Sequence, residues 1–138
     1  MTVHAFTDGA ARGNPGESGI GFLFKDEHGR TISRSYGYIG EGTNNVAEYK
    51  ALLACLKAAP ETKCTRLIIH SDSELMVRQL KGEYKVKDQT LKAYFAKVHR
   101  LLAKAPFEME IEYISREQNR EADRLANLGI DSRKRIRV

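Results

Sequence analysis

The spacing of hydrophobic and polar positions along this chain switches repeatedly between two periods, and each switch marks a change of element. Thr2 to Thr7 alternates and is rich in β-prone residues, the period-two pattern of a half-buried strand. Ile20–Lys25 and Thr31–Ile39 read as two further strands. They are joined by Asp26-Glu27-His28-Gly29, a short glycine-containing connection of the hairpin kind. Gly9-Ala10-Ala11-Arg12-Gly13-Asn14-Pro15-Gly16 holds three glycines and an Asn-Pro-Gly and reads as a turn. The first part of the chain is therefore expected to be an antiparallel meander.

Helical spacing then takes over. Val46, Tyr49, Leu53 and Leu56 recur on one face, Asn44 or Asn45 can cap the helix, and Pro60 ends it. Arg66–Ser71 is a compact strand with an apolar centre, as at the middle of a sheet. Ser73–Leu80 reads as a short helix stopped by Gly82. Leu91, Tyr94, Phe95, Val98, Leu101 and Leu102 form an i, i+3, i+4, i+7 stripe, with Pro106 beyond it. Met109–Ile114 alternates again, and Glu121–Leu128 predicts a last helix ended by Gly129. The order β-β-β-α-β-α-α-β-α predicts a mixed α/β fold: a five-stranded mixed sheet with helices on both faces. The organisation expected is one domain over residues 1–130 and a basic C-terminal tail over 131–138.

Composition narrows the class. Hydrophobic residues make up 41% and charged residues 30%, the balance of a soluble globular domain. The longest apolar run, Ala51 to Leu56, is far short of a membrane span. The first residues show no basic segment followed by an apolar one, so no signal peptide is expected and the cytoplasm is the default compartment; a monomer is the default state. Two cysteines are too few for a disulfide framework, and Cys55 falls in the apolar helical pattern as a core residue. His4, His28, His70 and His99 are scattered and make no zinc motif. The net charge of +5 is unevenly placed. Lys81 to Lys104 holds seven cations against two anions, which alone equals the total. The tail adds Arg133, Lys134, Arg135 and Arg137 against Asp131. Such a ridge serves either to solubilise or to meet a polyanion.

Four carboxylates occupy comparable settings. Asp8 follows the first strand and Asp72 ends the fourth. Glu48 falls in the first turn of the first helix, and Asp123 near the start of the last. Taken singly, the helix acids complement a helix N-terminus and the strand-end acids bond their own turn. Taken together, four converging carboxylates need cations between them. An all-oxygen set selects hard divalent ions, and two such ions suit phosphodiester hydrolysis.

The runs Thr7-Asp8-Gly9-Ala10-Ala11-Arg12-Gly13-Asn14-Pro15-Gly16, Thr43-Asn44-Asn45-Val46-Ala47-Glu48, Ser71-Asp72-Ser73 and Glu117-Gln118-Asn119-Arg120-Glu121-Ala122-Asp123 resemble the motifs of type 1 ribonucleases H, in the family's order and spacing. The resemblance implies an endonuclease that hydrolyses the RNA strand of RNA–DNA hybrids by two-metal-ion cleavage, leaving 5′-phosphate and 3′-hydroxyl ends. It implies two Mg²⁺ ions, with Mn²⁺ as a substitute, held by Asp8, Glu48, Asp72 and Asp123, with Asp8 shared. Asn14, Asn44 and Asn45 match residues that contact the RNA strand at its 2′-hydroxyls, the group that separates RNA from DNA. Thr43 matches a contact to a DNA phosphate. Tyr84, Lys85 and Lys87 stand where some relatives insert a long basic handle, and offer a smaller aromatic and basic contact. With Asp8 so near the first residue, affinity is expected to come from the catalytic domain, modest and strongly salt-dependent.

The sequence departs from the family in three places. No His stands in Ile114-Ser115-Arg116-Glu117-Gln118-Asn119, where many members carry one, leaving Arg116 or Glu117 as stand-ins. Glu74 replaces a common substrate-contacting Gln. The chain has no Trp. The alternatives are activity on double-stranded RNA and a catalytically weak nucleic-acid-binding module.

Overall fold

A computed structural model describes residues 1–138. Five strands form one sheet in the order β3-β2-β1-β4-β5: β1 Thr2–Gly13, β2 Gly16–Lys25, β3 Thr31–Gly42, β4 Arg66–Ser71 and β5 Glu108–Tyr113. The first three make the antiparallel meander, and β4 and β5 add in parallel on the other side of β1. The helices are α1 Asn44–Ala58, α2 Glu74–Leu80, α3 Gln89–Lys104 and α4 Arg120–Ser132. The predicted order and mixed sheet are observed, and helices cover both faces.

Alternation along the strands assigns the two faces. Val3, Ala5, Ile20, Phe22, Phe24, Leu67, Ile69 and Ile111 turn toward α1 and build the main core with it. Leu23 and Phe6 turn the other way, against Ala122 and Leu125 of α4. α1 is apolar almost all round, as a helix enclosed between a sheet and other helices must be: Ala51 through Leu56 are all buried. Each buried leucine there contributes about 1.5–3 kcal/mol. Outside α1 lies α3, which buries only Leu91 and Val98 fully and leaves its charged side to water. A hydrogen bond from the Tyr49 hydroxyl to Gln79 Oε1, 2.6 Å, ties α1 to α2.

Several local expectations are corrected. The glycine-rich segment after Asp8 is not a turn. β1 continues to Gly13, paired with Gly16 of β2, and only Asn14-Pro15 turn. Gly9 instead permits close approach: a Cβ there would lie 2.2 Å from the Ala47 carbonyl carbon, so α1 sits directly on β1. Gly129 does not stop the last helix, which runs to Ser132; its missing side chain makes room for the backbone of Gly37, whose oxygen would lie 2.4 Å from a Cβ. The cap of α1 is neither Asn44 nor Asn45 but Thr43, whose Oγ1 accepts from the Val46 amide at 3.2 Å. That moves Glu48 from the first turn of α1 into the second, and β4 ends at Ser71, one residue before Asp72.

Residues 133–138 lie along the edge strand β3. The Tyr38 amide donates to the Lys134 carbonyl and the Ile136 amide to the Tyr38 carbonyl, at 2.8 and 3.2 Å. Ile136 packs over Gly37, and the guanidinium groups of Arg133 and Arg135 lie 5.4 and 5.3 Å from the Tyr38 ring centroid. The edge is thus covered, as exposed sheet edges generally need to be.

Candidate active site

All four predicted acids line one cleft of about 450 Å³, beside the middle of β1 and the C-terminal end of β4. The parallel register pairs Thr7 with Ser71, so the chain delivers Asp8 and Asp72 side by side, one residue past that pair. Glu48 reaches them because α1 lies on Gly9: the Gly9 amide donates to Glu48 Oε1 at 2.9 Å. Asp123 comes from the opposite face on the first turn of α4. The start of that helix is pinned to β1 by Asn119, whose Nδ2 donates to the Thr7 carbonyl at 2.9 Å.

Carboxylate oxygens of Asp8, Glu48 and Asp72 lie within 4.8 Å of one another. Such crowding in a poorly hydrated place favours the protonated forms. Burial, reinforced by repulsion from Glu48, Asp72 and Asp123, pushes Asp8 up to about 10. Burial and the neighbouring Asp72 push Glu48 up to about 8, against the pull of the Gly9 amide. Asp72 is raised too, chiefly by burial, and Arg116 opposes the rise. A group of three carboxylates held this closely could hold a metal ion. The donors are all oxygen, the set that hard divalent cations take.

The model of the family described as reverse transcriptase-like matches residues 6–129. The crystal structure of LC11-RNase H1 in complex with an RNA/DNA hybrid matches with a TM-score of 0.91 at 43% identity, covering 94% of this chain and 97% of that one. The chain belongs to the ribonuclease H1 family. Ribonuclease HI of Halobacterium salinarum is 36% identical over 129 residues, 94% of this chain and 64% of that protein. A bifunctional protein of Mycobacterium tuberculosis is 36% identical over 133 residues, 96% of this chain and 36% of that protein. The chain thus spans less than two thirds of these curated relatives.

Of the other residues singled out on the ribonuclease H1 pattern, Asn44 and Arg116 line the cleft, and Asn14, Thr43, Asn45, Tyr84, Lys85 and Lys87 do not. Asn14 and Asn44 interlock the β1–β2 hairpin with the start of α1. Asn14 Oδ1 accepts from the Asn44 amide and Asn44 Oδ1 from the Ala11 amide, both at 3.1 Å. Asn45 is exposed next to them, and Thr43 is the helix cap. Tyr84, Lys85 and Lys87 are exposed in the connection between α2 and α3, with the Arg78 guanidinium 5.4 Å from the Tyr84 ring centroid. Glu74 does not line the cleft and is held by Arg78 Nε at 3.0 Å.

Arg116 lines the cleft beside Asp72 and Asp123, and Glu117 lines an adjoining one with them. Asn127 went unnoticed in the sequence. Its Nδ2 donates to the Asp123 carbonyl at 3.0 Å, and it also lines the cleft. Its place four residues after Asp123 on a helix, and so on the same face, was the available signal.

Proposed function

We propose that this protein is an endonuclease that hydrolyses the RNA strand of RNA–DNA hybrids with the help of bound Mg²⁺, Mn²⁺ being the substitute. The observation that carries this reading is the convergence of Asp8, Glu48 and Asp72 within 4.8 Å, with Asp123 in the same cleft. Asp8, Glu48, Asp72 and Asp123 would hold two ions. When bound, these ions supply the chemistry of phosphodiester hydrolysis, easing deprotonation of water and neutralising charge on the departing oxygen.

The chain's own groups do the rest. The Gly9 amide aims Glu48, and Asn119 fixes the helix that brings Asp123. Asn14 and Asn44 spend their amide oxygens on backbone N–H groups and so present only N–H donors outward, suited to the acceptor side of a ribose 2′-hydroxyl. Arg116 supplies a cation at the cleft beside Asp72 and Asp123, where it would steady a phosphate in place of the loop histidine of other members. Tyr84, Lys85 and Lys87 would contact the DNA strand beyond the cleft.

The test is cleavage of matched, labelled RNA–DNA hybrid, RNA duplex and DNA duplex, with and without Mg²⁺. Wild type is expected to cut the hybrid only with metal, and Asp8→Asn to cut none of the three. Cleavage of the DNA duplex as fast as the hybrid would defeat the reading, and preference for the RNA duplex would replace it with the double-stranded RNA alternative.

A further inference from the structure

The far end of the α1–α3 pair carries a charged surface that the acidic cleft does not use. Glu48 and Lys57 are nine residues apart on α1, about 13 Å along its axis. Around Lys57 stand Lys97, Arg100 and Lys104 of α3, rimming a cleft of about 300 Å³ whose floor is Leu53, Leu101 and Val138. A second cleft of about 230 Å³ shares Lys57, Leu101 and Lys104 and extends the apolar floor to Leu102 and Phe107. None of the four cations forms an ion pair within the chain. Toward the acids, Lys50, about two helix turns before Lys57, shares the Tyr94 ring with Lys97, at 5.9 and 5.2 Å from its centroid.

Two features must be satisfied at once: unpaired cations on the rim and apolar side chains on the floor. A phosphate backbone answers the cations and offers nothing to Leu53, Leu101 and Phe107. A purely apolar partner leaves four cations uncompensated, which disfavours close contact. A segment carrying carboxylates on either side of an apolar residue meets both, the apolar residue serving as a desolvated anchor and the acids as an outer ring. We infer that this groove docks an acidic segment of a partner protein, with an apolar side chain seated over Leu53 and Leu101. The inference stands independently of the nuclease reading, because no group lines both this groove and the acidic cleft.

The experiment is fluorescence anisotropy with a labelled peptide of about a dozen residues, aspartates interleaved with leucines, at roughly 0.1 M salt so that distant charges are screened. Binding in the micromolar range is expected. The double variant Lys57→Glu, Lys104→Glu should weaken it by about tenfold or more, since like charges then face each other. An all-glutamate peptide of equal charge should bind wild type about tenfold more weakly, because it lacks the anchor. Equal binding of the two peptides would overturn the proposal, leaving charge alone. So would indifference to the double variant. A hybrid losing as much affinity as the peptide in that variant would also overturn it, assigning the groove to nucleic acid. Hybrid cleavage and a thermal melt report whether the double variant folds. Should it not, Lys57→Gln, Lys104→Gln and the two-peptide comparison on wild type carry the same decision.

Discussion

The two ends of α1 are electrostatic opposites. At its start, Asp8, Glu48, Asp72 and Asp123 crowd together with Arg116 as the one cation lining the cleft. At its other end Lys57, Lys97, Arg100 and Lys104 gather around apolar side chains. The helix dipole runs the matching way, positive toward the acids and negative toward the cations. The difference lies in hydration. Asp8 is only 5% exposed, so its repulsions are poorly screened and its acidity is displaced. The cations stand in water, where repulsion costs little. A buried cluster of like charge is committed to a compensating ligand; an exposed one merely prefers a partner.

The sharpest way to break the acidic end is Asp8→Asn. Metal-dependent cleavage should fall by on the order of a thousandfold, as expected when several kcal/mol of charge stabilisation at the reacting phosphate is lost. The same substitution should make the metal-free protein more stable at pH 8, by a few degrees in Tm, because Asp8, at about 10 in the folded chain against 3.8 ordinarily, must take up a proton to fold at that pH and Asn need not. Loss of activity with an unchanged or lowered metal-free Tm would show that burying Asp8 carries no such cost.

Next in size is Gly9→Ala. A Cβ 2.2 Å from the Ala47 carbonyl carbon must push α1 off β1, at a cost of about 1–3 kcal/mol. Because Glu48 rides on α1 and bonds the Gly9 amide, cleavage should fall along with stability. A stability loss with full activity would mean that the cleft tolerates displacement of its own helix. This position also shows what could be read from the sequence. Alternation in β1, the α3 stripe and the order of elements are local patterns, and they survive in the structure. Placing Asp8 and Asp72 together needed only two adjacent strands, although β1 runs on to Gly13 rather than ending at Asp8. The role of Gly9, by contrast, depends on Ala47, far along the chain, and glycine patterns seen locally read as a turn. The same reason hid the extension of α4 past Gly129, whose partner is Gly37, and the seat of the 133–138 segment on β3. Thr43 is hard to single out as the cap because two asparagines follow it; of these Asn44 bonds the hairpin instead and Asn45 is exposed.

The acids also predict a pH dependence with a definite sign. Asp8 and Glu48 rise from ordinary values of 3.8 and 4.5 to about 10 and about 8 in the folded chain. A raised folded pKa means that the folded state binds the proton more tightly. The stabilisation is complete below about pH 4 and is lost as pH rises toward 8 and beyond. Metal-free protein should therefore melt at a higher temperature at pH 5 than at pH 8. Adding Mg²⁺ should raise Tm more at pH 8, where the acids need a cation, than at pH 5, where protons compete with it. Thermal melts at the two pH values with and without metal check this; equal gains at both would contradict the assignment of these groups as the metal's ligands.

The smallest effect is expected at Glu74, and its smallness is informative. This carboxylate follows Asp72 by two residues and would oppose a phosphate if it faced the cleft. It instead pairs with Arg78, at 3.0 Å on an exposed helix surface, and does not line the cleft. Such i, i+4 pairs contribute only about 0.3–0.5 kcal/mol. Glu74→Gln should leave Tm nearly unchanged and hybrid KM within about twofold, since a charge held outside the site at physiological salt is largely screened. A fall in KM of tenfold or more would show that Glu74 swings toward the bound phosphate. The boundary of the acidic region would then have to be drawn one helix turn further along α2.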